Sequence, residues 1–204
     1  MLAFIIFAVS YAFAAAAQPG QFQAYLISRT LANGWRRTLP AVLAPVLSDV
    51  PVIALVLLVL TQVPPLFVHV LRLAGGLFLL YLAAGAVSAF RRYGQPAATQ
   101  PRPAHRTILE AATVNLLNPN PYIAWALVLG PMLLQAWGRS PATGLAFLTA
   151  FYSTMVLATA GIVMLFGLAR TLGPRIARSL VLVSAVALAA FGLYQIGAGV
   201  TAIL

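Results

Sequence analysis

The chain has 204 residues, 62% hydrophobic and 7% charged, with a formal net charge of +10 and a mean hydropathy of +0.98. A soluble domain carries about 25% charged residues, and here apolar runs repeatedly reach the roughly 20 residues that cross a bilayer as a helix. A soluble domain is therefore excluded, as is a barrel, which needs short alternating segments. The chain has no Cys, which removes any disulfide framework or thiol relay. Every basic residue is Arg. The arginines sit between apolar segments, so membrane topology explains them better than nucleic acid does.

Breaks at prolines, glycines and arginine clusters predict six transmembrane helices, approximately 2–28, 38–61, 65–90, 107–135, 142–169 and 177–203. The first begins with Met1–Ala17, whose Ala12-Phe13-Ala14 spacing resembles a signal-peptide cleavage site. It lacks a basic leader and runs on past Pro19 to Leu26, so it reads as a span. Gln18-Pro19-Gly20-Gln21 breaks it. The second helix carries Asp49, the sole Asp of the chain, between Pro45 and Pro51. In the third, Gly75-Gly76 and Gly85 predict close helix contacts.

Next comes the Gly- and Pro-containing stretch Gly94–Pro103, which divides the chain into a first three-helix half (1–93), a linker (94–105) and a second half (106–204). The fourth helix opens with Arg106 and Glu110, spaced for an interfacial ion pair, and is broken by Asn118-Pro119-Asn120-Pro121. The fifth carries Tyr152-Ser153-Thr154 at mid-span, and the sixth holds no charge after Arg178.

Arginine placement sets an expected orientation. Arg29, Arg36 and Arg37 lie in the first loop, Arg91, Arg92, Arg102 and Arg106 in the third, and Arg170, Arg175 and Arg178 in the fifth. Those loops are predicted cytoplasmic, with both termini outside. Pro19 pairs with Pro119, Trp35 with Trp137, and Tyr81–Val87 with Tyr194–Val200, in the same order in each half. Three spans per half make such a repeat inverted, as in many secondary carriers, whose substrate sites lie at paired broken helices.

At 1.5 Å per residue, Pro19, Asp49 and Pro119 each fall about 15–20 Å from the nearest cytoplasmic arginine. In a core about 30 Å thick that is close to the midplane. A carboxylate there costs about 2.5–3.5 kcal/mol on insertion scales, so it faces a cavity, a partner or water. Asp49 suits two roles, counter-ion to a substrate ammonium or proton site; the plainer alternative is a bond to backbone groups disturbed by Pro45 or Pro51. Gly20 permits close approach, and the break at Pro19 frees N–H and C=O groups for a ligand, or simply makes a packing kink. Asn115 and Asn118 share a helix face and supply amides to a substrate or to neighbouring helices. Gln18 and Gln21 carry the same two readings.

Together these stretches resemble the lysine exporter (LysE/RhtB-type) family of bacterial amino-acid efflux carriers. The likeness lies in Pro19-Gly20-Gln21, Gly34-Trp35-Arg36-Arg37, Ser48-Asp49, the run Leu71–Leu82, and Asn115-Leu116-Leu117-Asn118-Pro119-Asn120. The resemblance implies an all-α polytopic protein of the bacterial cytoplasmic (inner) membrane, with six helices in two inverted three-helix repeats and broken helices 1 and 4. It implies proton-driven efflux of amino acids or similar metabolites, and places Pro19, Gly20, Asp49, Asn118 and Pro119 at the central site. The chain departs from the family pattern at Gln21, Ser48 and Asn120, which stand for Pro, Gly and Lys.

The expectation is thus a secondary active exporter of amino acids or similar small amine-bearing metabolites, not an enzyme. It needs no cofactor, and assembly of several copies is left open. Its substrate-binding residues are Pro19, Gly20, Gln21, Asp49, Asn115, Asn118, Pro119 and Tyr152, with Asp49 coupling to protons. The alternative is a cation or metal-ion exporter, although one carboxylate and scattered His69 and His105 make a poor metal site.

Overall fold

A computed structural model describes residues 1–18, 20–58, 65–91, 104–169 and 173–201, and every regular element among them is helical. Pro19 and residues 94–103 of the expected linker lie outside the described residues. The elements are α1 (Leu2–Ala17), α2 (Gln21–Asn33), α3 (Trp35–Thr38), a 3₁₀ stretch (Leu39–Leu43), α4 (Ala44–Leu58), α5 (Pro65–Arg91) and α6 (Ala104–Leu116). They continue with α7 (Pro119–Ala124), a π-helical turn (Trp125–Leu129), α8 (Gly130–Arg139), α9 (Pro141–Ala169) and α10 (Pro174–Val200). Pro65, Pro119, Pro141 and Pro174 each open a helix, where a missing N–H costs nothing. Gly34 ends α2 with φ of +90°, a backbone that disfavours any side chain.

Four runs are long and apolar enough to cross a membrane: Trp35–Leu57, Pro65–Ser88, Pro141–Ala169 and Arg178–Val200. Helices α1 and α2, bent by 59° about the first break, make a fifth when counted as one span. The stretch from α6 to α8 is interrupted after Leu116 and forms no single long helix. The protein is thus a polytopic helical membrane protein by length and composition.

Helices from the two ends of the chain interleave: α10 lies along α5, α1 against α9, and α4 against α6. A Cβ on Gly76 would come 2.7 Å from the Gly192 carbonyl oxygen, and one on Gly192 would come 2.9 Å from that of Gly76. Gly75 likewise faces the Leu117 carbonyl. Gly85, expected to mark a close contact, instead faces open space. The predicted Arg106–Glu110 pair is present at 3.7 Å, but Arg29 of α2 is the closer partner at 2.5 Å. Helical spacing exposes only neighbours on one helix, whereas this pair joins residues 81 apart in the sequence.

Buried residues form two clusters. One includes Tyr25, Leu26, Ala44, Leu79, Val114, Val163 and Leu188; the other includes Ala12, Val52, Tyr122, Trp125, Phe147 and Phe151. The chain passes from one cluster to the other between Ala12 and Phe22, between Ala44 and Val52, between Val114 and Tyr122, and between Phe151 and Val163. Both breaks, Asp49 and Tyr152 lie within those crossings. The level between the two cores is where the polar residues collect.

Candidate functional site

The first break is bounded by Gln18 and Gly20, both extended. At φ of −161°, Gly20 has a backbone any residue adopts, so its small size matters rather than its flexibility. A helix end leaves C=O groups without partners, and in hydrocarbon these must be satisfied by protein or water. The Gln23 amide does this for α1, donating to the Ala15 and Ala16 carbonyls at 3.3 and 3.1 Å. At the second break the Tyr122 hydroxyl donates to the Leu116 carbonyl at 3.0 Å. Side chains thus patch the backbone at both interruptions.

The two helix starts differ in what they leave free. At α7 all four N–H positions that a helix N-terminus normally orphans are accounted for. Asn118 N–H donates to the Asn115 carbonyl, Asn120 N–H donates to Asn118 Oδ1 at 3.1 Å, and Pro119 and Pro121 have no N–H. At α2 the helical ladder begins with Ala24 N–H on the Gly20 carbonyl, and no side chain caps the N–H groups of Gln21, Phe22 and Gln23.

Asp49 sits between the breaks on α4 and is 4% exposed. Its Oδ1 accepts from the Asn115 amide at 2.9 Å, and its Oδ2 from the Tyr152 hydroxyl at 3.2 Å and the Trp125 indole N–H at 3.5 Å. Asn115 also donates to Ser48 Oγ at 2.8 Å, and Ser48 donates to the Ala44 carbonyl. Asp49 therefore bonds side chains from three other helical stretches rather than backbone near Pro45 or Pro51. Among the described residues no cationic side chain pairs with it. A buried carboxylate with neutral donors but no counter-charge is poised to take a cation or a proton.

A cavity of about 370 Å³ opens at this carboxylate. Gln18, Gly20 and Gln23 at the first break, Asp49, and Asn115, Asn118 and Asn120 of the second line it together, with an otherwise apolar and aromatic wall. Tyr152 reaches the site through Asp49. Pro119 is buried in the first turn of α7, and Gln21 is buried with its Oε1 unpartnered; neither lines the cavity. Sequence reasoning passed over Trp125, Gln23 and Tyr11, which lie on the wall. An aromatic residue in an apolar run reads as core, and Trp125 reaches Asp49 from the π turn that opens with it. That turn closes with Gly130 N–H on the Trp125 carbonyl, a five-residue bond, and π turns gather at functional sites. A Cβ on Gly130 would collide with the same carbonyl.

A half-open, largely apolar cavity between broken apolar helices, with one carboxylate in it, suits a membrane translocator. The family model for LysE type translocators matches residues 13–199, and the chain belongs to that family. Membership makes it a membrane efflux transporter of small molecules. Comparison with curated proteins and with solved structures finds no match.

Proposed function

We propose that the protein is a proton-coupled exporter of amino acids or similar small amine-bearing metabolites in the bacterial cytoplasmic membrane. In this reading residues 1–93 and 106–204 are two inverted three-helix repeats giving six spans, with α1–α2 and α6–α8 as the broken spans and both termini outside. The observation that carries it is Asp49, buried between the breaks, held by neutral donors and open to the cavity. The substrate ammonium or a proton occupies this carboxylate, never both. That exclusivity ties outward movement of cargo to inward movement of protons. Asn115, Trp125 and Tyr152 orient the carboxylate, while Gln18, Gly20 and Asn118 contact the cargo.

A metal ion wants several oxygen ligands, commonly more than one carboxylate, and the cavity supplies a single one. The donor set therefore favours an amine over a metal cargo. The test uses the full chain in vesicles loaded with an amino-acid mixture, under an imposed proton gradient. Wild-type protein is expected to release amine cargo in step with the gradient, and Asp49→Asn to lose that dependence while retaining the wild-type melting temperature. Gradient-driven efflux undiminished in a folded Asp49→Asn variant, or movement of divalent metal alone, would overturn the reading.

A further inference from the structure

Building on the proposed amine exporter, we infer that the cavity selects organic monocations with an apolar body over zwitterionic amino acids. Charge comes first. Among the described residues Asp49 is the single charged residue lining the cavity, and no arginine joins it there. With Asp49 ionised, a monocation brings the site to neutrality, whereas a zwitterion leaves its own carboxylate against a largely apolar wall without a counter-charge. Such an unpaired charge is heavily penalised.

Donors come second. A carboxylate entering between two broken helices would look for two sets of free N–H groups. The α7 start has none to give, because Pro119 and Pro121 lack N–H and Asn118 occupies that of Asn120. Of these two starts, among the described residues, that of α2 has the uncapped N–H groups. A helix end carries only a partial charge, and the carbonyl oxygen of an amide or ester meets it without bringing a net anion.

The wall comes third. Tyr11, Phe22, Trp125 and Phe151 line the same cavity as Asp49. Trp125 and Phe151 meet edge to face, with centroids 5.9 Å apart, and the Trp125 indole N–H points to the carboxylate. Aromatic walls around one anion attract an ammonium through its charge and its alkyl groups alike.

The experiment measures binding to the purified full chain in detergent, by calorimetry, for three compounds of matched apolar body: leucine, leucinamide and 3-methylbutylamine. The amide and the amine are expected to bind about ten-fold more tightly than leucine, a difference of about 1.4 kcal/mol. Asp49→Asn is expected to remove the preference. Tyr11→Leu, at a half-buried wall position, is expected to weaken the two monocations several-fold. Leucine binding as tightly as leucinamide, with Asp49→Asn weakening both equally, would overturn the preference while leaving the amine exporter intact. Absence of binding by all three compounds would count against both the preference and the exporter reading.

Discussion

The Asn115 amide nitrogen reaches Ser48 Oγ and Asp49 Oδ1 at 2.8 and 2.9 Å, and that fork fixes which way the carboxylate faces. An NH₂ group has two donors, and both are used here. Asn115→Leu leaves a buried carboxylate oxygen short of a partner, which costs about 1.5–3 kcal/mol for a charged acceptor. The melting temperature in detergent should fall accordingly. In an Asp49→Asn background the same change should cost less, since the acceptor is no longer charged, and a double-mutant cycle reads that coupling. Asp49 is legible in the sequence because a lone acid inside an apolar run has no structural reason to be there. Tyr152 is legible by its place at mid-span, and Asn115 by sharing a helix face with Asn118. Trp125 is not, because its reach depends on a π turn that leaves no mark in hydrophobic spacing.

Where the helices break, the patches are as informative as the breaks. Gln23 caps the end of α1 from within α2, so the two pieces of one interrupted span hold each other. Gln23→Leu deprives the Ala15 and Ala16 carbonyls of that donor and is expected to destabilise the protein by about 1–3 kcal/mol. Gln21→Leu provides the contrast: it deletes a buried acceptor with no partner and is expected to be neutral or stabilising. A thermal melt of the two variants beside wild type checks both. The positions of the breaks are legible because proline removes a backbone donor whatever surrounds it. The patching of α1 by a glutamine seven and eight residues further along is not, since it depends on the 59° bend that folds α2 back across the end of α1.

Taken whole, the molecule joins its two ends at several levels, and the Arg29–Glu110 pair is the most polar of these joints. Its side chains are 11% and 12% exposed, and the Tyr25 hydroxyl donates to the same Glu110 oxygen at 3.1 Å. Loss of Arg29 leaves Glu110 with Arg106 at 3.7 Å and the Tyr25 hydroxyl, so the cost falls below the about 3–5 kcal/mol of a fully stranded buried charge. Arg29→Met is still expected to lower the melting temperature more than Arg36→Met, whose guanidinium lies over the neighbouring Trp35 ring. In the proposed orientation these residues lie on the cytoplasmic side. A fluorescent reporter that matures only in the cytoplasm should stay dark when fused after Leu204; bright cells would reverse the proposed orientation. Which helix packs against which is not legible, because paired motifs carry no information about which partner each helix chooses.

One seam restricts how such a molecule can move. Gly76 and Gly192 each lie against the other's carbonyl oxygen, with no room for even a methyl group between them. Sliding α5 or α10 by a single residue would drive a side chain onto an oxygen. In the proposed transport cycle these two long rods act as a fixed spindle, and the swing that exposes first one mouth and then the other falls to the hinged pieces around it.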